Sequence, residues 1–141
     1  MNKHMRKTGQ LFWVSIIFLA VITGLVGCKS ATTQSSEDTA IRAYADPATE
    51  TTMQGLSEDN LTKYTQYGAP EFKAALTQEI LDKTSASLKT QSGTYVSKEF
   101  LSTGKQDDYT IVHYKAKFTK TTVWIKMVFD KNHLVAGQWF E

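Results

Sequence analysis

The chain has 141 residues, a formal net charge of +2 and a single cysteine. Its length allows one hydrophobic core of ordinary size and is too short for two. One cysteine excludes a disulfide within the chain, and so small a net charge is not the clustered positive excess that nucleic-acid binding requires.

A basic start followed by an apolar run is typical of an export signal. Lys3, Arg6 and Lys7 precede seventeen residues, 11–27, that carry no charge. Seventeen residues at a rise of about 1.5 Å would only just cross a hydrocarbon core of about 30 Å, so a permanent membrane-spanning helix is the alternative. The ending of the run favours the signal peptide, which we expect to span residues 1–27.

That ending, Leu25-Val26-Gly27-Cys28, resembles the lipobox of bacterial lipoproteins. The resemblance implies that the Cys28 thiol receives a diacylglyceryl group and that cleavage occurs just before this residue. Two acyl chains, palmitate for example, would hold the protein in a bilayer, since each buried methylene contributes about 0.8 kcal/mol. We therefore expect a lipid-anchored protein on the extracytoplasmic side of the cell membrane.

Residues 28–40 are predicted to be the lipidated cysteine and a flexible tether. The segment KSATTQSSEDT, residues 29–39, has no large apolar side chain and cannot bury enough surface to fold alone. Without residues 1–27, thirteen basic residues face fourteen acidic ones, so the cleaved chain is nearly neutral. Residues 41–141 remain as a single domain.

The first half of this domain has a helical pattern. Asp46-Pro47 suits the start of a helix, because aspartate is a good N-cap and proline fits the first helical position. A second short helix is expected over residues 58–66. After Pro70, apolar residues at steps of three and four predict a third helix that ends near Gly93.

The second half changes to period two, which predicts four strands, at about 94–103, 109–118, 121–129 and 133–140. Two-residue turns at Thr119-Lys120 and Lys131-Asn132 would set the register of the last three strands. Both turns place one set of apolar residues on the same face, which the helices should cover: Val112, Tyr114, Ala116, Phe118, Val123, Ile125, Met127, Phe129, Leu134, Ala136 and Phe140.

The first strand is less well determined, since the loop over residues 104–108 leaves either Phe100 or Leu101 facing inward. The predicted fold class is α+β, with N-terminal helices packed on one face of a four-stranded antiparallel sheet.

Three segments resemble one known family. YTIVHYKAKF, VFDKNHLVAGQWF and the upstream ADPATETTMQGLSEDNLTKY are similar to the domain-of-unknown-function family 3887, small domains found in bacterial lipoproteins. The resemblance implies a cystatin-like, nuclear-transport-factor-two-like cone, in which helices lie in the curve of the sheet. It implies no activity and no functional residues.

The other face of the predicted sheet is a candidate binding or dimer surface. The predicted register puts Trp124 beside Trp139 and Lys115 opposite Trp124, with Lys126 next to them. Ile111, Val128 and Val135 form a neighbouring apolar row, and such an area is large for an exposed surface. Tryptophan and lysine together suit a glycan ring, a protein partner or self-association. The alternative is that the N-terminal segment or a helix end covers this face as a second small core.

Catalysis has less support in the sequence. His113 falls opposite the core and His133 lies at a turn, so neither meets a carboxylate inside the domain. Tyr114 and Gln138 are the polar groups predicted on the covered face; Gln138 needs a hydrogen-bond partner, supplied by the protein or by a ligand. We find no pattern for a metal site or a cofactor.

The sequence therefore predicts a membrane-anchored lipoprotein that binds a small ligand, a glycan or a protein without catalysis. A small enzyme with a pocket in the same fold and a dimerising spacer are the alternatives.

Overall fold

The computed structural model describes the backbone of residues 29–141 and the side chains of residues 36–141. Within that part of the chain, four helices precede four strands. The helices are α1 (Lys29–Ser57), α2 (Leu61–Tyr64), α3 (Pro70–Ala74) and α4 (Gln78–Ser92), and the strands are β1 (Tyr95–Gln106), β2 (Tyr109–Phe118), β3 (Thr122–Phe129) and β4 (Val135–Phe140).

Helix α1 is longer than the sequence pattern predicts. It begins at Lys29 and passes through Pro47, so the predicted tether over residues 29–39 is helical and the predicted start at Asp46-Pro47 is wrong. Tertiary contacts outweigh the local signal: Ile41 and Ala45 belong to the core cluster, and Glu37 pairs with Lys105 of β1. Pro47 lies on the exposed side of the helix, where water can satisfy the carbonyl that its missing N–H leaves unbonded.

The predicted third helix is two helices. Pro70 is the first residue of α3, which ends after one turn, and the chain then turns before Thr77, the N-cap of α4. The Thr77 hydroxyl accepts the Ile80 N–H at 3.3 Å, a typical N-cap. Helix α4 ends at Gly93 as predicted; the φ of this residue, 87°, favours glycine.

The sheet is antiparallel, with the strands in chain order β1-β2-β3-β4. The predicted β2–β3 register is confirmed: Val112 pairs with Met127 and Tyr114 with Ile125, across a turn at Thr119-Lys120. In β1, Phe100 faces the helices, where its ring meets Tyr114 edge-on at 6.2 Å. This resolves the alternative left open for the first strand.

The predicted β3–β4 register is wrong by two residues along most of the pair. Met127 pairs with Gln138 and not with Ala136, because the loop after Asp130 has three residues and ends at His133, whose φ is 63°. A bulge near Phe129 accompanies this loop and turns Val135, predicted to lie on the other face, into the core at 1% exposure. A shift of two residues leaves the remaining side chains of β4 on their predicted faces.

The helices cover one face of the sheet, which confirms the α+β class. Ile125, Met127 and Phe129 are fully buried there. Met53 of α1 and Leu81 of α4 pack in the same core cluster. The helices thus leave the opposite face of the sheet uncovered.

Candidate binding surface on the open sheet face

Two tryptophans and two lysines lie together on the uncovered face of the sheet. We call Lys115, Trp124, Lys126 and Trp139 the Trp–Lys surface. Trp124 and Trp139 are each 51% exposed, so no segment within residues 29–141 covers them. The alternative of a second small core on this face is therefore not found in the part of the chain that the structure describes.

Strand pairing fixes the positions of the four side chains. Lys115 lies opposite Trp124, as predicted. Trp139 lies opposite Lys126, and not beside Trp124, because of the longer β3–β4 loop. The Lys126 ammonium is 5.5 Å from the centroid of the Trp139 ring, within cation–π range. Positions 124 and 139 are therefore diagonal to each other on the sheet, with one lysine beside each tryptophan.

Trp139 lies along its own strand, over Gly137. A Cβ atom at position 137 would stand 2.3 Å from Cη2 of the indole and 2.5 Å from Cζ3. A side chain at this position would therefore displace the ring, and its absence lets the indole lie on the backbone. The spacing Gly-Gln-Trp is visible in the sequence, but the sequence does not show which rotamer Trp139 adopts. The contact between the ring and Gly137 therefore could not be predicted.

A basic cleft adjoins the Trp–Lys surface. Its volume is about 510 Å³, and it runs from the start of β1, across β2, to the β2–β3 turn. Lys115 lines the cleft and also neighbours Trp124, so the cleft and the indoles form one continuous surface. The other lysines along its walls are Lys98, Lys117 and Lys120.

Most lysines away from this face have a carboxylate partner. Lys63, Lys83 and Lys89 pair with acids of the helical half at 2.7–2.8 Å. Within residues 36–141, no carboxylate comes within ion-pair distance of Lys115, Lys117 or Lys126.

Two other groups in the cleft have different surroundings. Glu99 is the strand neighbour of Lys115 but forms no ion pair with it, and the Lys120 ammonium donates to the Thr90 carbonyl at 2.9 Å. The surface therefore carries an excess of positive charge in a nearly neutral domain.

Lys98 differs from the other cleft lysines because its ammonium turns toward the covered face. It lies 3.8 Å from the Asp46 carboxylate and 4.7 Å from the centroid of the Tyr114 ring, with its side chain only 10% exposed. Burial lowers the pKa of Lys98, and the charge of Asp46 opposes that effect. We assign Lys98 to the internal polar network.

Tyr114 and Gln138, the polar groups predicted on the covered face, both have partners in the chain. The Tyr114 hydroxyl donates to Asp46 Oδ1 at 2.9 Å, and Tyr114 is fully buried. Gln138 accepts the Tyr64 hydroxyl at 2.9 Å, and its amide donates to Met53 Sδ at 3.3 Å. Burial raises the pKa of Tyr64 to about 12 and also raises that of Tyr114, so both phenols are protonated donors at neutral pH.

The histidines do not assemble a catalytic group. His113 lies opposite Lys126 on the open face, and its Nδ1 is 3.5 Å from the Ser102 hydroxyl. His133 stacks on Tyr44 of α1 with ring centroids 4.0 Å apart, a contact that the sequence did not reveal. Within the described residues, no three histidine, cysteine or acidic side chains are grouped to hold a metal ion.

Cys28 and the predicted signal peptide lie outside the described residues. Among the helices of the described part, none combines the length and apolar character needed to span a bilayer.

Comparison with known proteins gives one match. The model of the family described as Protein of unknown function (DUF3887) matches residues 49–137, more than half of the chain. The matched range includes Lys115, Trp124 and Lys126 but ends before Trp139. No curated protein and no solved structure matches the chain. The chain therefore belongs to the DUF3887 family, whose function is unknown.

Proposed function

We propose that the chain is an extracytoplasmic lipoprotein, anchored in the cell membrane through Cys28, whose α+β domain binds a ligand non-catalytically through the Trp–Lys surface. The sequence Leu25-Val26-Gly27-Cys28 after an uncharged run supports the anchor. The resemblance to a cystatin-like, nuclear-transport-factor-two-like cone belongs to the same proposal, since helices in the curve of the sheet would leave the outer face free.

One observation carries the binding role: two indoles are half-exposed beside lysines that have no carboxylate partner. Tryptophan is enriched at binding sites, since its ring combines a large apolar area with a polar N–H. Exposing two such rings on one face of the sheet loses the benefit of burying them, which a ligand would restore.

The covered face favours binding over catalysis. Its polar groups, Tyr114 and Gln138, already bond to other residues of the chain, and the surrounding side chains of Met53, Met127 and Phe129 are fully buried. A substrate would have to displace packed side chains to reach these groups. The open face, by contrast, needs no rearrangement.

Charge disfavours self-association as the main role. Two copies joined through their Trp–Lys surfaces would bring Lys115 and Lys126 of each copy into a shared interface with the same lysines of the other. Like charges brought together in an interface cost several kcal/mol. A ligand with negative charge would be attracted by the same lysines, against the weaker opposing charge of Glu99 beside Lys115 and of Glu141 beside Trp124.

Metabolic labelling with palmitate tests the anchor. Cells that express the full chain should incorporate the label and retain the protein in membranes through salt and alkaline washes, whereas Cys28→Ser should carry no label. An unlabelled wild-type chain with a free thiol behind an intact leader would contradict the proposal.

Sedimentation with cell-envelope material freed of lipid, in a non-ionic detergent, tests the binding role, because the apolar residues 11–27 could otherwise hold the full chain in membranes. The Cys28→Ser chain is compared with a variant that also carries Trp124→Ala and Trp139→Ala. We expect the added changes to abolish sedimentation while the far-ultraviolet circular dichroism stays unchanged. Ile80→Ala is the matched control, since this side chain is 44% exposed on α4, away from the sheet. Equal sedimentation of all variants would refute a role for the two indoles.

A further inference from the structure

We propose that the ligand of the Trp–Lys surface is an anionic polysaccharide, with its acidic groups along the lysines of the basic cleft and its sugar rings on Trp124 and Trp139. This inference rests on the proposed function and names the ligand class for the same surface.

Charge is the first argument. Lys115, Lys117 and Lys126 have no carboxylate partner among the described residues, while most lysines elsewhere in the domain, though not Lys73 and Lys131, are paired. Unpaired ammonium groups within one surface raise the local concentration of anions. Because the charges follow β2 and β3 and are not gathered at one point, they fit a chain with repeated negative groups.

The shape of the indole site is the second argument. Trp139 lies over Gly137, so the ring follows the strand and does not project from the sheet. A ring held along the backbone suits stacking with a flat or puckered ring. It suits insertion into a lipid layer poorly, since insertion needs side chains that stand away from the protein. This geometry favours a sugar over a bilayer surface.

The wall of the cleft is the third argument. Besides its lysines, it presents hydroxyl groups from Ser97, Thr121 and Thr122. A hydroxyl both donates and accepts hydrogen bonds, as the hydroxyls of a sugar do. Through Lys115 this polar wall adjoins Trp124, so one extended molecule can occupy the cleft and the indoles together.

The natural tryptophans provide the signal for a test. The chain has three, Trp13, Trp124 and Trp139. In the full chain with Trp13→Phe, held in a non-ionic detergent, all tryptophan emission comes from the proposed site. Titration with dextran sulfate should quench or shift this emission, and added salt should weaken the effect.

Three comparison probes separate the contributions. Dextran has the same sugar rings without charge, and polyglutamate has charge without sugar rings. We expect both to bind at least about tenfold more weakly than dextran sulfate, because each offers only one of the two contacts. Phosphatidylglycerol vesicles that carry the same chain should shift the emission no more than phosphatidylcholine vesicles do.

Two variants locate the contacts. Lys115→Gln with Lys117→Gln should weaken dextran sulfate binding about tenfold or more, whereas Lys83→Gln, on the solvent side of α4, should leave it unchanged. Gly137→Ala should displace the Trp139 ring without changing any charge and weaken binding about three- to tenfold. Unchanged circular dichroism shows that each variant is folded.

Several outcomes would overturn the inference. Polyglutamate binding as tight as dextran sulfate binding would indicate charge alone, and a response to phosphatidylglycerol but not to dextran sulfate would indicate a lipid surface. No response to any probe would refute it as well. The palmitate label on Cys28 and the envelope sedimentation are measured independently. If dextran sulfate does not bind, those two results still test the proposed function.

Discussion

The two faces of the sheet are built from alternate residues of the same strands and have opposite properties. On the covered face, Tyr114, Ile125 and Met127 are fully buried. One position along, on the open face, Trp124 is half-exposed and Lys126 has no carboxylate partner within the described residues. Because side chains alternate along a strand, one segment can supply stability on one face and binding on the other.

Polar groups show the same contrast. Tyr114 and Gln138 on the covered face are bonded within the chain, to Asp46 and Tyr64, because a buried polar group without a partner is costly. Lys115 and Lys126 can remain without a carboxylate partner, since water solvates their ammonium groups until a ligand arrives. A polar residue on this sheet is thus structural or available for binding according to the face it occupies.

The largest loss of stability should come from truncating a buried side chain on the covered face. Phe129 is fully buried and meets the Tyr44 ring edge-on at 5.4 Å. Phe129→Ala removes this burial and leaves a cavity, so we expect the free energy of unfolding to fall by about 3–5 kcal/mol. Urea unfolding followed by circular dichroism measures the change. A loss below about 1 kcal/mol would show that this face is not the core.

Alkaline pH should lower the free energy of unfolding, because it favours deprotonation of Tyr64, which packs against the covered face. The pKa of Tyr64 is about 12 in the folded protein because the phenol is buried, and about 10 in the unfolded chain. A raised pKa means that its contribution to stability is fully present below pH 10 and is lost as pH rises toward 12. Each pKa unit corresponds to about 1.36 kcal/mol, so the free energy of unfolding should fall by about 3 kcal/mol.

The difference between wild type and Tyr64→Phe isolates this contribution. Urea unfolding of both proteins between pH 9 and pH 12 should show a steeper loss for the wild type. Tyr109→Phe is the control, since Tyr109 is 46% exposed. Parallel curves for wild type and Tyr64→Phe would contradict a buried, protonated Tyr64.

A smaller effect is expected from Tyr114→Phe, which removes one hydroxyl and keeps the ring. Asp46 then loses the donor at 2.9 Å but keeps Arg42 at 3.1 Å. Because that partner remains, we expect a loss of about 1–2 kcal/mol in the free energy of unfolding. Urea unfolding measures this loss. Tyr109→Phe is the control, and we expect it to leave the free energy of unfolding nearly unchanged. Equal stability of the two variants would mean that the Tyr114 bond adds nothing.

The smallest effect on stability should come from the open face. Trp124→Ala and Trp139→Ala should each cost no more than about 1 kcal/mol, because half of each ring is already in water. The same urea experiment as for Phe129→Ala gives the comparison. A loss of about 3–5 kcal/mol for either variant would mean that the ring is buried in a core.

The sequence predicted the strand register correctly where the length of the turn was predicted correctly. Thr119-Lys120 gave the β2–β3 register without error. For β3–β4, a two-residue turn was inferred where His133 extends the loop to three, since a positive φ at histidine has no clear sequence signal. The alternation of side chains still placed Gln138 and Trp139 on the correct faces, because the error was two residues.

Other features depend on distant contacts and could not be predicted. Helix α1 continues through Pro47, and Glu37, expected in the tether, pairs with Lys105 far along the chain. Which lysines are paired follows from three-dimensional distances. The basic cleft borders an irregular pairing in β1, between Tyr95 and Ser97, which strand alternation does not reveal.

Quenching of tryptophan emission by acrylamide is the most direct test of an open Trp–Lys surface. In the full chain with Trp13→Phe, only Trp124 and Trp139 emit. Since each indole is 51% exposed, we expect acrylamide to quench both, with an emission maximum typical of rings in contact with water. Short-wavelength emission that acrylamide does not quench would show that the face is covered, and would contradict the proposed binding role.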